Sequence, residues 1–206
     1  MAIARFHHPD IQNENTYTAR DLAAPAPAAQ DYELFARFLR GDDNAAMQLF
    51  QTYNRRLFVY CAKIVSSNHV AEDICQEVWE KVLRLRQQNP TDIQNPAGFL
   101  FTIARNLCLN FVKLRKHTVP IESVEEYNIP LSVQPGDSSM EELIGSSLDC
   151  LRFEDRELLV LNMYCGYRFD EIAAMLGISA NAVWTRASRA RAQLREIVTR
   201  MMKKDN

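Results

Sequence analysis

Between Ala182 and Lys204 the chain places seven basic side chains, Arg186, Arg189, Arg191, Arg195, Arg200, Lys203 and Lys204, against one acid, Glu196. Arginines at this density suit phosphate oxygens, because a guanidinium donates in a planar fork that matches them. Just before this run, Leu176-Gly177-Ile178-Ser179 reads as a helix stop and restart. Glycine takes the left-handed conformation after one helix, and serine caps the next. With Ile172, Ala173, Leu176, Ile178 and Val183 apolar, the two flanking helices bury against each other at a steep angle, the spacing of a helix-turn-helix. In that motif the second helix enters a major groove with its first residues at base edges and its basic residues on phosphates. Trp184 stands at the start of this helix, placed for a thymine methyl, the sugar backbone or partial burial.

Two earlier stretches also carry chemistry. In AEDICQEVWEKVLR and the Leu85 that follows it, Ile74, Val78, Val82 and Leu85 share one helical side, while Asp73, Gln76, Glu77, Glu80 and Arg84 share another. The second side is either a solvated polar face or an acidic, amide-bearing ridge for an arginine-bearing partner helix. NPAGFLFTIARNLCLNFVKLRKH mixes Phe99, Phe101 and Phe111 with Arg105, Asn106, Asn110, Lys113, Arg115 and Lys116. Cations beside aromatics suit single-stranded or melted DNA, where phosphates meet charge and unstacked bases meet a π face. The alternative is an aromatic core with an exposed basic end.

Other chemistries have little support. No clustered nucleophile, acid-base pair, metal set or phosphate loop is present, so we expect no enzyme, no catalytic residue, no metal and no cofactor. Five cysteines (61, 75, 108, 150 and 165) are scattered at no metal-ligand spacing and are expected to be buried thiols within helices. No apolar run approaches the roughly 18 residues of a membrane span, and the N-terminus lacks the order of a secretory signal, so a soluble cytoplasmic protein is expected. The formal net charge of the 206 residues is -2. A protein that grips DNA unaided usually has a positive excess, so contact with DNA here should need a partner.

These stretches must be held by helices, and periodicity supplies them. Residues 1–30, with LAAPAPAAQ, read as a mobile tail. Leu34, Phe35, Phe38 and Leu39 form one helical face that ends at Gly41. Further helices are expected from Asp42 or Asp43 to Val65, His69 to Arg86, and Pro96 to Lys116, where Asn95-Pro96 supplies a cap and first position. Residues 118–137 contain three prolines, four acids and no Lys or Arg, the composition of a flexible acidic linker. Helices resume over about 140–151, 154–165, 169–176 and 180–202. The fold class is all-α: two small helical domains, residues 31–117 and 138–206, joined by the linker.

Taken in order, the three stretches resemble the ECF (extracytoplasmic function) sigma factors, small bacterial initiation factors with the second and fourth conserved sigma regions. AEDICQEVWEKVL looks like the polymerase-binding helix of region two. NPAGFLFTIARNLCLNFVKLRK looks like its minus-ten element reader, and LRFEDRELLVLNMYCGYRFDEIAAMLGISANAVWTRASRARAQLRE looks like region four, which reads the minus-thirty-five element. The resemblance implies that Asp73, Gln76, Glu77 and Glu80 face the clamp helices of the largest polymerase subunit. It implies minus-ten contacts for Ile93, Gln94, Asn95, Arg105, Asn106, Asn110 and Lys113. It implies minus-thirty-five contacts for Trp184, Thr185, Arg186, Ser188, Arg189 and Arg191. The implied partners are core RNA polymerase, including the flap of its second subunit, promoter DNA and an anti-sigma factor. The linker would follow the active-site and RNA-exit path, and the tether would permit a closed form with the domains packed together. The rival readings are a stand-alone helix-turn-helix regulator, which leaves the first domain without a role, a sigma-like adaptor, and a redox sensor built on the cysteines.

Overall fold

The computed structural model describes residues 28–88, 93–118 and 138–204, and among these every regular element is an α-helix. In chain order they are α1 (Ala28–Leu39), α2 (Asp43–Val65), α3 (Asn68–Arg86), α4 (Pro96–Thr118), α5 (Ser138–Asp149), α6 (Phe153–Met163), α7 (Phe169–Leu176) and α8 (Ala180–Lys204). The expected linker, apart from Thr118, and tail residues 1–27 lie outside the described residues. Helix α1 begins at Ala28, three residues inside the expected tail.

Local chemistry starts and stops these helices where side chains can satisfy the orphaned backbone groups. Asp42 caps α2, accepting from Asn44 N at 2.9 Å and Ala45 N at 3.1 Å, and Arg37 donates to its other oxygen. That arginine and the two amides hold the Asp42 carboxyl below the usual carboxylate range. Ser67 caps α3 through Val70 N. Gly177 sits in the left-handed region at φ 66° and ends α7, after which Ser179 accepts from Ala182 N to open α8. This is the expected helix-turn-helix junction.

Helix α2 is the axis of the first group. It buries Leu49, Tyr53, Leu57, Tyr60, Cys61 and Ile64 against α1, α3 and α4. Met47 is 38% exposed, because it falls on the outer side of the first turns. Cys61, Cys75 and Cys108 are buried in this core as expected, and contact with the Cys61 thiol, together with burial, pushes the Cys108 thiol far up. Cys165 is buried as expected but lies in the turn after α6 rather than within a helix, and Cys150 departs on both counts. It lies in the turn after α5 and is exposed.

In the second group α8 packs on α5, α6 and α7 through Val183, Ala187, Ala190 and Leu194. Alternate steps of four and three residues put these on one stripe. Helix α6 differs: Glu157, Leu158, Leu159, Val160 and Leu161 are consecutive and all buried. A helix buried on all sides needs neighbours on all sides. Its second set of neighbours is α2, so the two groups touch through α2 with α6 and α4 with α7.

Contrary to the expectation that no apolar run approaches a membrane span, the helical segment Pro96–Arg115 is long and apolar enough for one by length and composition alone. In the fold it buries Leu100, Phe101, Ala104 and Cys108 against neighbouring helices and carries Arg105, Asn106, Asn110 and Lys113 between them. Charges and amides at mid-helix are costly in lipid, and a core helix accounts for the apolar side.

Candidate nucleic-acid interface

Helix α3 has two sides. Ile74, Cys75, Val78, Trp79 and Val82 are buried, and Trp79 is fixed by donating Nε1–H to Asn54 Oδ1 at 2.8 Å while its ring leans on Phe50. Asp73, Gln76, Glu77 and Glu80 lie together on the other side, lining one shallow depression with Lys81 and Arg84. The carboxylates make same-helix ion pairs, Glu77 with Lys81 at 3.1 Å and Glu80 with Arg84 at 3.3 Å. Such exposed pairs contribute little stability, so an arginine-bearing partner would exchange them at little cost. The five side chains expected to share this polar side, Arg84 included, lie together on it.

The second set divides. Asn95 caps α4: its Oδ1 accepts from Gly98 N at 2.9 Å, and its Nδ2 donates to Ala174 O on α7 at 3.2 Å. A Cβ at 98 would meet Asn95 Nδ2 at 2.7 Å, so a larger residue there must displace the capping amide. Gln94 is exposed beside it, and Ile93 packs partly against the core. Asn106, Asn110 and Lys113 recur at steps of four and three and form an exposed stripe. Arg105 stands one position off the stripe and turns elsewhere. Its Nε donates to Glu157 Oε2 on α6 at 3.0 Å, and its guanidinium lies 5.4 Å from the centre of the Phe153 ring.

Glu157 was not singled out from the sequence, and it is 3% exposed. Its other oxygen accepts from Tyr60 Oη at 2.8 Å. Burial pushes the Glu157 carboxyl above its ordinary range, against the opposing pull of Arg105 and Tyr60. Beside it an aromatic ladder crosses the same seam: Tyr60 to Phe101 at 5.2 Å and Phe101 to Tyr167 at 5.4 Å, both edge to face. A second polar knot lies further along. Arg156 donates to Ile64 O at 3.1 Å and to Asp149 O at 2.6 Å, and Ser66 Oγ donates to Asp149 Oδ1 at 2.7 Å. The one signal for Glu157 in the sequence was its place directly ahead of the apolar run Leu158 to Leu161.

On α8, Trp184, Thr185, Ser188 and Arg189 are all exposed, opposite the buried stripe. Trp184 is 60% exposed and rests edge-on against Phe169. Arg191 is held at two points, with Nη2 donating to Asn162 Oδ1 at 2.7 Å and its guanidinium 5.0 Å from the centre of the Phe169 ring. Arg186 comes no closer than 3.9 Å to Asp155. Phe169 was missed as a support for this surface, because on the sequence it reads simply as the first core residue of α7.

The order of an acidic ridge, an aromatic and amide-rich helix and an arginine-bearing helix-turn-helix is matched by two family models. Sigma-70 region 2 matches residues 49–118, and Sigma-70, region 4 matches residues 141–194. The RNA polymerase sigma factor CarQ of Myxococcus xanthus is 32% identical over 165 residues, 79% of this chain and 94% of that protein. The chain belongs to the ECF sigma factors. The ECF RNA polymerase sigma factor SigM of Mycobacterium tuberculosis H37Rv is 27% identical over 82% of this sigma factor and 84% of its own length. Among solved structures, CnrH in complex with the cytosolic domain of CnrY has a TM-score of 0.62 at 22% identity, covering 87% of the sigma factor and all of that chain. The sigma factor RpoE in complex with the anti-sigma factor NepR from Bartonella quintana has a TM-score of 0.59 at 22% identity, covering 74% and 96%. These likenesses share the all-helical arrangement of a region 2 and a region 4 domain. The sigma factor directs promoter-specific transcription, and the stand-alone regulator is not favoured.

Proposed function

We propose that this sigma factor docks on the clamp helices of the largest subunit of core RNA polymerase through Asp73, Gln76, Glu77 and Glu80. Its second group of helices meets the flap of the second subunit. Ile93, Gln94, Asn95, Arg105, Asn106, Asn110 and Lys113 then meet the melted minus-ten element, where amides address base edges and cations address phosphates. Trp184, Thr185, Ser188 and Arg189 meet bases of the minus-thirty-five element, with Arg186 and Arg191 on phosphates. An anti-sigma factor is the expected regulator, as the two solved relatives each carry such a partner or a cytosolic partner domain. The setting is cytoplasmic, where polymerase and promoters are.

The observation that carries this reading is the pairing of an exposed acidic ridge on α3 with two separate polar surfaces on α4 and α8. A net charge of -2 fits the same scheme. The polymerase supplies much of the affinity for DNA, so the free protein binds it weakly.

Run-off transcription with purified core polymerase on fragmented genomic DNA of the source organism, with and without this protein, tests the reading. New RNA starts sharing two upstream motifs are expected, and Glu77→Lys should abolish all of them. Folded protein that yields no new starts would overturn it.

A further inference from the structure

We propose that Asn162 is a positioning residue for DNA binding: it holds the Arg191 guanidinium ready for a phosphate without neutralising it. The inference rests on the assignment of Arg191 to a phosphate of the minus-thirty-five element. Asn162 stands next to last in α6 and bridges two other parts of the fold. Its Nδ2 donates to Tyr167 O, in the turn between α6 and α7, at 2.8 Å, and its Oδ1 accepts from Arg191 Nη2 on α8 at 2.7 Å. A carbonyl only accepts and a guanidinium only donates, so the amide fits this place in one orientation. The turn is set by its own backbone: Tyr167 N donates to Leu161 O at 3.0 Å, and Gly166 takes the left-handed region at φ 75°. The acceptor that Arg191 meets is therefore fixed from behind.

The kind of partner matters as much as the hold. Arg168, Arg186 and Arg200 of the same group each face a carboxylate, at 2.6, 3.9 and 3.3 Å. Arg191 instead faces an amide and the Phe169 ring, neither of which carries a charge. A carboxylate at 162 would fix the guanidinium as firmly, but it would cancel the charge that draws a phosphate. The amide takes up one N–H and leaves the charge and the other donors for DNA. Arginine loses rotamer freedom when it binds, and a side chain already held in place loses less.

The test uses the free full-length chain and a fluorescent pool of random-sequence duplex DNA, with salt titrated from about 50 to 200 mM. Arg191→Ala should weaken binding and lower the slope of log affinity against log salt by about one, the mark of one lost phosphate contact. Asn162→Ala keeps every charge, so it should weaken binding about threefold and leave the slope as it is. Added to Arg191→Ala, it should have no further effect, because Asn162 acts through Arg191. A merely structural role would weaken both backgrounds alike. That result would overturn the proposal, as would wild-type binding by either single variant.

A variant of the same shape gives a second reading. Asn162→Asp should lower the slope by about one, as Arg191→Ala does, although the arginine is still present. Gln48→Glu makes the same charge change at an exposed position on α2 and should leave the slope near that of wild type. Equal slopes in these two variants would overturn the proposal. Where circular dichroism shows that Asn162→Ala has lost helix content, Asn162→Asp decides alone. The assay contains neither polymerase nor a promoter, so its failure and that of the transcription experiment are told apart.

Discussion

The indole of Trp184 stands edge-on to the ring of Phe169, with centroids 4.8 Å apart, while remaining 60% exposed. Phe169 in turn lies beneath the Arg191 guanidinium, so one buried ring orients an apolar and a cationic side chain on the same surface of α8. An exposed tryptophan loses hydration and rotamer freedom on binding, and prior support lowers that cost. Trp184→Ala should reduce transcription from the protein's own promoters about tenfold, in line with about 1–3 kcal/mol for one lost base contact. Core polymerase binding should be unchanged. Quantitative run-off assays paired with a pull-down on core polymerase check both halves.

The α3 ridge makes an opposite prediction. Glu77 is half exposed and pairs with Lys81 along the helix. Glu77→Lys should leave the melting temperature within about 2 °C of wild type, since surface changes away from buried features are small. Native gel shifts with core polymerase should nevertheless show binding lost. Retained binding would move the polymerase contact away from this ridge.

Asn95 links the start of α4 to α7. Asn95→Ala removes the cap and should cost about 1 kcal/mol of stability, the usual loss for an N-cap. Gly98→Ala should disturb the same side chain without deleting it, because the added methyl collides with the Asn95 amide. Chemical denaturation monitored by circular dichroism compares the two, and Gly98→Ala should fall between wild type and a complete loss of the cap.

The seam should respond to pH through Glu157. Burial raises its carboxyl above the ordinary value, so the closed form holds a proton more tightly than the open one. The contribution is complete below the open-state value and is lost as pH rises through the closed-state value. Acidification from neutral pH toward the ordinary carboxylate range should therefore tighten closure. The charged or titratable groups facing Glu157 are Arg105 and Cys108 from α4, Tyr60 from α2 and Glu154 from its own helix, and the Cys108 thiol stays neutral because contact with Cys61 and burial push it far up. Arg105 stays charged throughout: burial pulls its already high value down, and Glu157 with its neighbours more than offsets that. Tyr60 stays neutral, pushed up by burial and by Glu157. Glu157→Gln should keep the chain closed and flatten the response, as read by the radius of gyration between pH 7.5 and 5.

Tyr167 gives a prediction of the other sign. Its ring packs between Phe101 and Arg56, yet its hydroxyl is buried with no hydrogen-bond partner among the described residues. An unsatisfied buried hydroxyl costs about 1–3 kcal/mol. Tyr167→Phe should leave the melting temperature equal or higher, and a clear drop in thermal denaturation would reveal a bonded hydroxyl.

Much of this molecule was determined locally and could be read from the sequence alone. Gly177 and Ser179 define the turn of the helix-turn-helix, and Asn95-Pro96 starts α4, because stops and caps depend on residues within a few positions of each other. The acidic ridge followed from the 3.6-residue period that buries Val78 and Val82 and leaves Glu77 outside. The exposed stripe of Asn106, Asn110 and Lys113 obeys the same rule. Tertiary structure decided which way Arg105 turns, why Glu157 is buried and what supports Trp184. Glu157 lies 97 positions from Tyr60 and 52 from Arg105. Their meeting depends on how two separately patterned groups of helices pack, and no short-range period or cap encodes that distance.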